Sequence, residues 1–119
     1  MIRIAKPLQL LCAVALCALA TDRPRAEAPE RVIAISARRF QFTPSEVKLK
    51  KGEPVRIQLT SADVTHGFFQ RALGIDAEIS PGKTTELVVT PQEAGRFLVI
   101  CDHFCGSGHG GMNMTFVVE

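Results

Sequence analysis

Residues 101–114, CDHFCGSGHGGMNM, hold two cysteines, two histidines and two methionines. Four of these residues follow the spacing C-x3-C-x3-H-x2-M. Thiolate, imidazole and thioether groups are soft or borderline metal ligands, and together they favour copper over calcium or magnesium. Glycines 106, 108, 110 and 111 allow the backbone of this segment to wrap closely around a small ion. The segment therefore predicts a metal site, with copper as the preferred ion.

A further ligand is predicted from a distant segment. The chain has three histidines, and the one outside residues 101–114 is His66, in the sequence SADVTHGFF. It follows a stretch, residues 55–60, in which apolar and polar residues alternate as in a half-buried strand. A rigid β-sheet could hold such a residue against the loop after another strand, so we expect His66 to complete the site.

Short apolar stretches separated by turn residues dominate the chain after residue 30, and no helical periodicity is present there. A segment containing Phe40 and Phe42 before Pro44 is typical of an edge strand, because proline cannot donate to a ladder. We predict about eight strands in a Greek-key β-sandwich. The clearest strands are residues 31–37, 47–50, 55–60, 67–70, 84–90, 97–101 and 112–118.

The length of 119 residues suits one domain. Arg3 and Lys6 precede a largely apolar run at residues 8–20, and Ala26-Glu27-Ala28 matches a cleavage signal. We therefore predict a signal peptide at residues 1–28, a domain at residues 29–119, and export to the periplasm or another external compartment. Pro29 is unfavourable directly after a cleavage site, which leaves open an uncleaved segment that tethers the domain to a membrane.

Residues 29–119 carry ten basic and ten acidic side chains. This balance argues against nucleic acid or an anionic membrane surface as a partner. In an oxidising compartment, a disulfide between Cys101 and Cys105 is an alternative to metal binding. A zinc site made by both cysteines with His66 and His109 is also chemically feasible, but it leaves Met112 without a role.

Two motifs, DVTHGFF and CDHFCGSGHGGM, together resemble the CuA-type domain of cytochrome c oxidase subunit II, a binuclear copper cupredoxin. The intervening sequence ALGIDAEISPGKTTELVVTPQEAGRFLVIC is similar to that family as well. The second cysteine distinguishes the motif from those of one-copper cupredoxins. The ligands that the resemblance implies for two copper ions are the bridging thiolates of Cys101 and Cys105, the imidazoles of His66 and His109, the thioether of Met112 and the backbone carbonyl of His103.

The resemblance implies a carrier of single electrons, not an enzyme, with a redox protein as its partner. Two other functions stay open: storage or delivery of copper to an accepting oxidase, and a one-copper cupredoxin that uses a single cysteine. A hydrophobic shell would tune the redox potential of the site. We expect Phe68, Phe69, Phe104 and Phe116 to form it. The chain contains no tryptophan or tyrosine, although the family often uses an aromatic residue, in many cases tryptophan, where electrons enter.

Overall fold

The computed structural model describes residues 2–3 and 31–119. Within these residues the chain forms nine β-strands, arranged in two sheets. The strands are β1 (Arg31–Arg38), β2 (Gln41–Thr43), β3 (Glu46–Leu49), β4 (Val55–Ser61), β5 (His66–Gln70), β6 (Ile75–Ile79), β7 (Thr85–Val89), β8 (Gly95–Ile100) and β9 (Asn113–Val118). Two short 3-10 turns, Arg71–Leu73 and His109–Gly111, interrupt the connections.

The strand order is β2-β1-β4-β7 in one sheet and β3-β9-β8-β5-β6 in the other. β1 pairs with β4, and β3 with β9, in parallel, whereas the other pairs are antiparallel. The parallel pairs arise because the chain passes from one sheet to the other and back. The prediction of an all-β Greek-key sandwich is confirmed.

The core lies between the two sheets and follows from alternation along each strand. In β1, Ile33, Ile35 and Ala37 are buried, whereas the residues between them are exposed. Their neighbours in β4 alternate in the same way, with Ile35 directly beside Leu59. Successive side chains of a strand point to opposite faces, so one face of each sheet supplies the core.

One strand, β6, was not predicted from the sequence. It has five residues, of which only Ile75 and Ile79 are buried, and it lies at the edge of its sheet beside β5. Its pattern IDAEI alternates apolar and polar residues, so the signal of a half-buried strand was present in the sequence. β6 matters for the site because His66 of β5 pairs with Ile79.

The predicted signal peptide, residues 1–28, lies outside the described residues except for residues 2 and 3, and it stays a prediction. Among the residues that the structure describes, no helix has the length and apolar character needed to cross a membrane.

Candidate metal centre

His66 is the first residue of β5, a strand flanked by β6 and β8. Its side chain is fully buried, and its Nε2 lies 2.7 Å from Oδ1 of Asp63. Its other ring nitrogen, Nδ1, is buried without a hydrogen-bond partner. A buried polar atom without a partner carries a desolvation cost of about 1–3 kcal/mol, so such an atom needs an explanation.

Asp63 anchors the segment before His66. Its carboxylate accepts hydrogen bonds from the backbone N–H groups of Arg39 and Val64, each at 2.7 Å. Burial alone would raise the pKa of Asp63, but these two bonds and the contact with His66 outweigh it and hold the pKa well below its usual value. The carboxylate is therefore ionised and orients the His66 ring.

The loop after β8 brings three sulfur atoms and an imidazole together. The Sγ atoms of Cys101 and Cys105 are 3.7 Å apart, and the Sγ of Cys105 lies 3.7 Å from Nδ1 of His109 and 3.8 Å from Sδ of Met112. The backbone N–H of Cys101 donates to the Met112 carbonyl at 3.2 Å, which closes the loop at the start of β9. A ring nitrogen of His66 and both cysteine sulfurs lie within 4.8 Å of one another.

The two cysteines are free thiols and are almost completely buried. Burial raises the pKa of the Cys105 thiol to about 11, with a further increase from Cys101, while the positive charge of Arg39 acts in the opposite direction. In such a site a thiol loses its proton readily only when a cation compensates the charge. The electrostatics therefore match thiols that lose their protons when a metal cation binds.

His103 presents its backbone and its ring in different directions. The carbonyl oxygen lies 3.2 Å from Sγ of Cys101. The ring is about half exposed, and its Nε2 lies 3.9 Å from a carboxylate oxygen of Glu78. The imidazole also lines an open pocket with Asp76 and Asp102, on the side of β5 and β6. The backbone of His103, and not its ring, is thus the part nearest to the sulfur atoms.

Gly67, directly after His66, allows β5 to lie against the start of the loop. Its N–H donates to Sγ of Cys101 at 3.3 Å. A Cβ atom at this position would overlap the Asp102 carboxylate and lie 2.7 Å from the backbone nitrogen of His103. Backbone atoms cannot move aside easily, so only glycine fits here.

The predicted aromatic shell is only partly formed. Phe68 and Phe116 are fully buried, with edge-to-face packing between Phe42 and Phe68 at 5.4 Å and between Phe68 and Phe116 at 6.2 Å. Phe69 is half-buried. Phe104 does not belong to a buried shell, because it is 75% exposed at the tip of the loop. Its position between two buried cysteines does not bury it, since the turn directs it outward.

Arg39 and Phe40, in the turn between β1 and β2, also contact the loop of the site, and no sequence pattern indicated this. Nε of Arg39 donates to the Cys105 carbonyl at 2.9 Å, and the Phe40 ring lies against Gly106 and Gly108. Cys105 is 66 residues from Arg39 along the chain, so no local pattern could have indicated these contacts.

The donor set fits a copper site. The unpartnered Nδ1 of His66 supplies a ring nitrogen with no other function, and Asp63 occupies its Nε2. The sulfurs of Cys101 and Cys105 lie within 4.8 Å of a His66 ring nitrogen. The Met112 thioether and the His109 imidazole lie beside the Cys105 sulfur. All of these groups are soft or borderline donors. His66, Cys101, Cys105, His109 and Met112 are thus brought together, and His103 contributes its carbonyl to the same place.

Comparison with known proteins identifies the family. The cupredoxin-like domain profile matches residues 9–115, so the chain belongs to the cupredoxin-like family, which implies copper as the metal. Cytochrome c oxidase subunit 2 of Thermus thermophilus is 32% identical over 80 residues, which make up 67% of this chain and 59% of the relative. The chain therefore spans less than two thirds of the length of that relative.

Solved structures agree with this assignment. A chain of a heme-copper terminal oxidase dimer superposes with a TM-score of 0.68 at 28% identity, covering 75% of this chain and 65% of that one. The periplasmic domain of subunit II of cytochrome oxidase (CoxB) from Bradyrhizobium japonicum superposes with a TM-score of 0.72, covering 78% of this chain and 86% of that domain. Its identity is 20%, so it supports the fold alone. The predicted resemblance to subunit II is confirmed.

Proposed function

We propose that this chain is an exported copper protein of the CuA type, which passes single electrons through a binuclear site and performs no substrate chemistry of its own. The observation that carries the proposal is the convergence of three sulfur atoms and the imidazoles of His66 and His109, together with the buried Nδ1 of His66 that has no hydrogen-bond partner. The proposed ligands are the side chains of His66, Cys101, Cys105, His109 and Met112 and the carbonyl of His103.

Copper held by these donors would supply one-electron chemistry. The role of the protein is to hold the donors in place. Asp63 fixes the His66 ring through Nε2, and the Gly67 N–H supports the Cys101 sulfur. Such outer contacts orient metal ligands and adjust the redox potential.

Exclusion of water is the second task of the protein. Cys101, Cys105 and Met112 are each at most 4% exposed, and His66 is fully buried. Solvent that cannot reach the ligands need not reorganise when the charge changes. The buried, prearranged donors therefore suit electron transfer better than they suit a reaction that requires an open ligand position.

Two ions are favoured over one by the number of donors. Cys101 and Cys105 have similar burial, and their sulfur atoms are 3.7 Å apart. Two thiols, two imidazoles, a thioether and a carbonyl are more donors than one four-coordinate ion takes. A single four-coordinate ion could take both thiolates and both imidazoles, but the buried Met112 thioether and the His103 carbonyl would then have no role.

The periplasm and a redox protein or an accepting oxidase are the proposed location and partner. The predicted signal at residues 1–28 supports export. The oxidase relatives support an electron-transfer chain as the context. Residues 29–119 carry equal numbers of basic and acidic side chains, so their charge does not favour nucleic acid as a partner.

Metal analysis of the purified protein, loaded with copper after reduction of its thiols and then oxidised, tests the proposal. We expect two copper ions per chain and a paramagnetic resonance spectrum in which one unpaired electron couples equally to two copper nuclei. A single copper per chain, coupled to one nucleus, would identify a one-copper cupredoxin instead. Preferential retention of zinc would contradict the copper assignment.

A second experiment separates an electron carrier from a copper donor. The loaded protein is oxidised and reduced repeatedly in the presence of a copper chelator, and its metal content is followed. We expect a carrier to retain its copper in both states, because the buried ligands exchange slowly. Release of copper in the reduced state would favour storage or delivery.

A further inference from the structure

Arg39 contacts both halves of the candidate metal centre. Its side-chain Nε donates to the carbonyl oxygen of Cys105 at 2.9 Å, and its backbone N–H donates to Oδ2 of Asp63 at 2.7 Å. The other oxygen of that carboxylate, Oδ1, is the one that meets the His66 ring at 2.7 Å. Arg39 is therefore bonded directly to the predicted ligand Cys105 and, through Asp63, to the predicted ligand His66.

We propose that Arg39 is a positioning residue that sets the separation between the Cys105 side of the loop and the His66 side of the site before a metal binds. The inference rests on the proposed function only in treating these residues as copper ligands. The contacts of Arg39 with Asp63 and Cys105 are direct hydrogen bonds within the protein. No local sequence motif accounts for them, because Arg39 lies in the turn between β1 and β2.

The loop has few other attachments between Cys105 and His109. Its backbone bonds are largely internal, from His109 to Gly106, from Gly111 to Gly108 and from Met112 to His109. Bonds of this kind hold the loop in shape but do not fix it to the rest of the domain. The bond from the Arg39 guanidinium does so, and a charged donor makes it stronger than a neutral one.

Phe40 extends the same attachment by packing. An ideal Cβ at Gly106 would lie 2.9 Å from the Phe40 ring and 3.5 Å from Nε of Arg39, and one at Gly108 would lie 2.5 Å from the ring. The turn therefore covers the loop from Cys105 to Gly108, with the Arg39 bond at one end and the aromatic ring along the rest.

The proposal predicts a selective effect. Arg39→Ala removes the side-chain bond to Cys105 but keeps the backbone N–H that holds Asp63. The loop should loosen while the segment from Asp63 to His66 keeps its place. Amide hydrogen exchange can resolve this difference, because the N–H groups of His109, Gly111 and Met112 report on the loop and those of Val55–Ser61 report on global opening.

The experiment compares the full chain and three variants in the reduced, metal-free state. In Arg39→Ala we expect the loop amides to exchange about tenfold faster, the effect of losing one hydrogen bond to a charged group, with β4 amides unchanged. Arg39→Lys should restore part of the protection, since it keeps the charge and one donor. Arg38→Ala is the matched control, because Arg38 bonds to Gln41, the first residue of β2, and not to the loop. It should match the unmodified protein.

Equal loop exchange in Arg39→Ala and Arg38→Ala would overturn the proposal. So would acceleration of the β4 amides to the same extent as the loop, which would indicate a general loss of stability. If Arg39→Ala does not fold, Arg39→Lys carries the comparison: faster loop exchange than in Arg38→Ala supports the proposal, and equal exchange refutes it. The copper count of the unmodified protein is measured separately, so failure of the metal assignment and failure of this inference are distinguishable.

Discussion

At the scale of single residues, the two nitrogens of His66 have opposite surroundings. Nε2 is held by the ionised carboxylate of Asp63 at 2.7 Å, whereas the buried Nδ1 has no partner. The carboxylate fixes which nitrogen is free and how the ring is turned. The buried Nδ1 carries a desolvation cost because it has no partner, and a cation bound to it would remove that cost.

Asp63→Asn tests the importance of this orientation. An amide cannot offer two anionic oxygens to His66 and to the Arg39 N–H, so the ring should lose its fixed position. We expect copper affinity to fall by about 10- to 100-fold, the usual effect of losing an outer-shell partner, measured by competition with a copper chelator. Asp76→Asn is the control, since Asp76 is an exposed residue of β6. Equal affinities in the two variants would contradict the assigned role of Asp63.

The two histidines of the loop are predicted to respond differently. His109→Ala should destroy or rearrange the thiolate-to-copper absorption bands, because Nδ1 of His109 lies 3.7 Å from the Cys105 sulfur. His103→Ala should keep copper content and spectrum nearly unchanged, because only the carbonyl of His103 is near the sulfurs. Copper titration with absorption spectroscopy measures both. Loss of the bands in His103→Ala and their survival in His109→Ala would reverse the assignment.

At the scale of elements, the loop between β8 and β9 has two glycines, Gly106 and Gly108, that lie against the Phe40 ring. Gly108 has a φ of −90°, which alanine adopts without strain, so the close contact with the ring is what favours glycine there. At Gly110 a Cβ would meet nothing within 4 Å. Alanine at Gly108 and alanine at Gly110 therefore differ in whether the added Cβ meets the Phe40 ring.

Gly108→Ala should displace the Phe40 ring or the loop, whereas Gly110→Ala should be tolerated. We expect the first variant to lower the free energy of unfolding by about 1–3 kcal/mol, as for other substitutions that overpack a contact. Denaturant unfolding of both metal-free variants measures the difference. If the two lose the same stability, the Phe40 contact does not restrict the loop.

At the scale of the whole molecule, the sandwich gives the site its rigidity. Phe42, Phe68 and Phe116 pack edge to face between the sheets, and Phe68 belongs to the same strand as His66. Met114, two residues beyond Met112, is also buried in this core. The loop is thus anchored at both ends in strands that the core holds in place.

Phe116→Ala should destabilise the fold by about 3–5 kcal/mol, because it leaves a cavity in a close-packed core. Phe104→Ala should change stability by no more than about 0.5 kcal/mol, since the ring is exposed. Thermal or denaturant unfolding of both variants gives the comparison. Similar losses would mean that Phe104 is buried in solution, contrary to the structure.

Much of this protein follows from short-range sequence patterns. Alternation in residues 31–37 and 55–60 predicts strands, because successive side chains of a strand face opposite sides. The spacing C-x3-C-x3-H-x2-M predicts a set of donors within one loop, and His66 in DVTHGFF completes the family motif. The nature of these groups decides that the metal is a soft or borderline ion, before any fold is known.

The tertiary structure decided the contacts that no local pattern contains. Which nitrogen of His66 is free depends on Asp63 and on the burial of the ring. The exposure of Phe104 depends on the direction in which the turn points it. The bond from Arg39 to Cys105 spans 66 residues. Burial and long-range hydrogen bonds depend on which elements pack together, so they appear only when the two sheets have closed over the core.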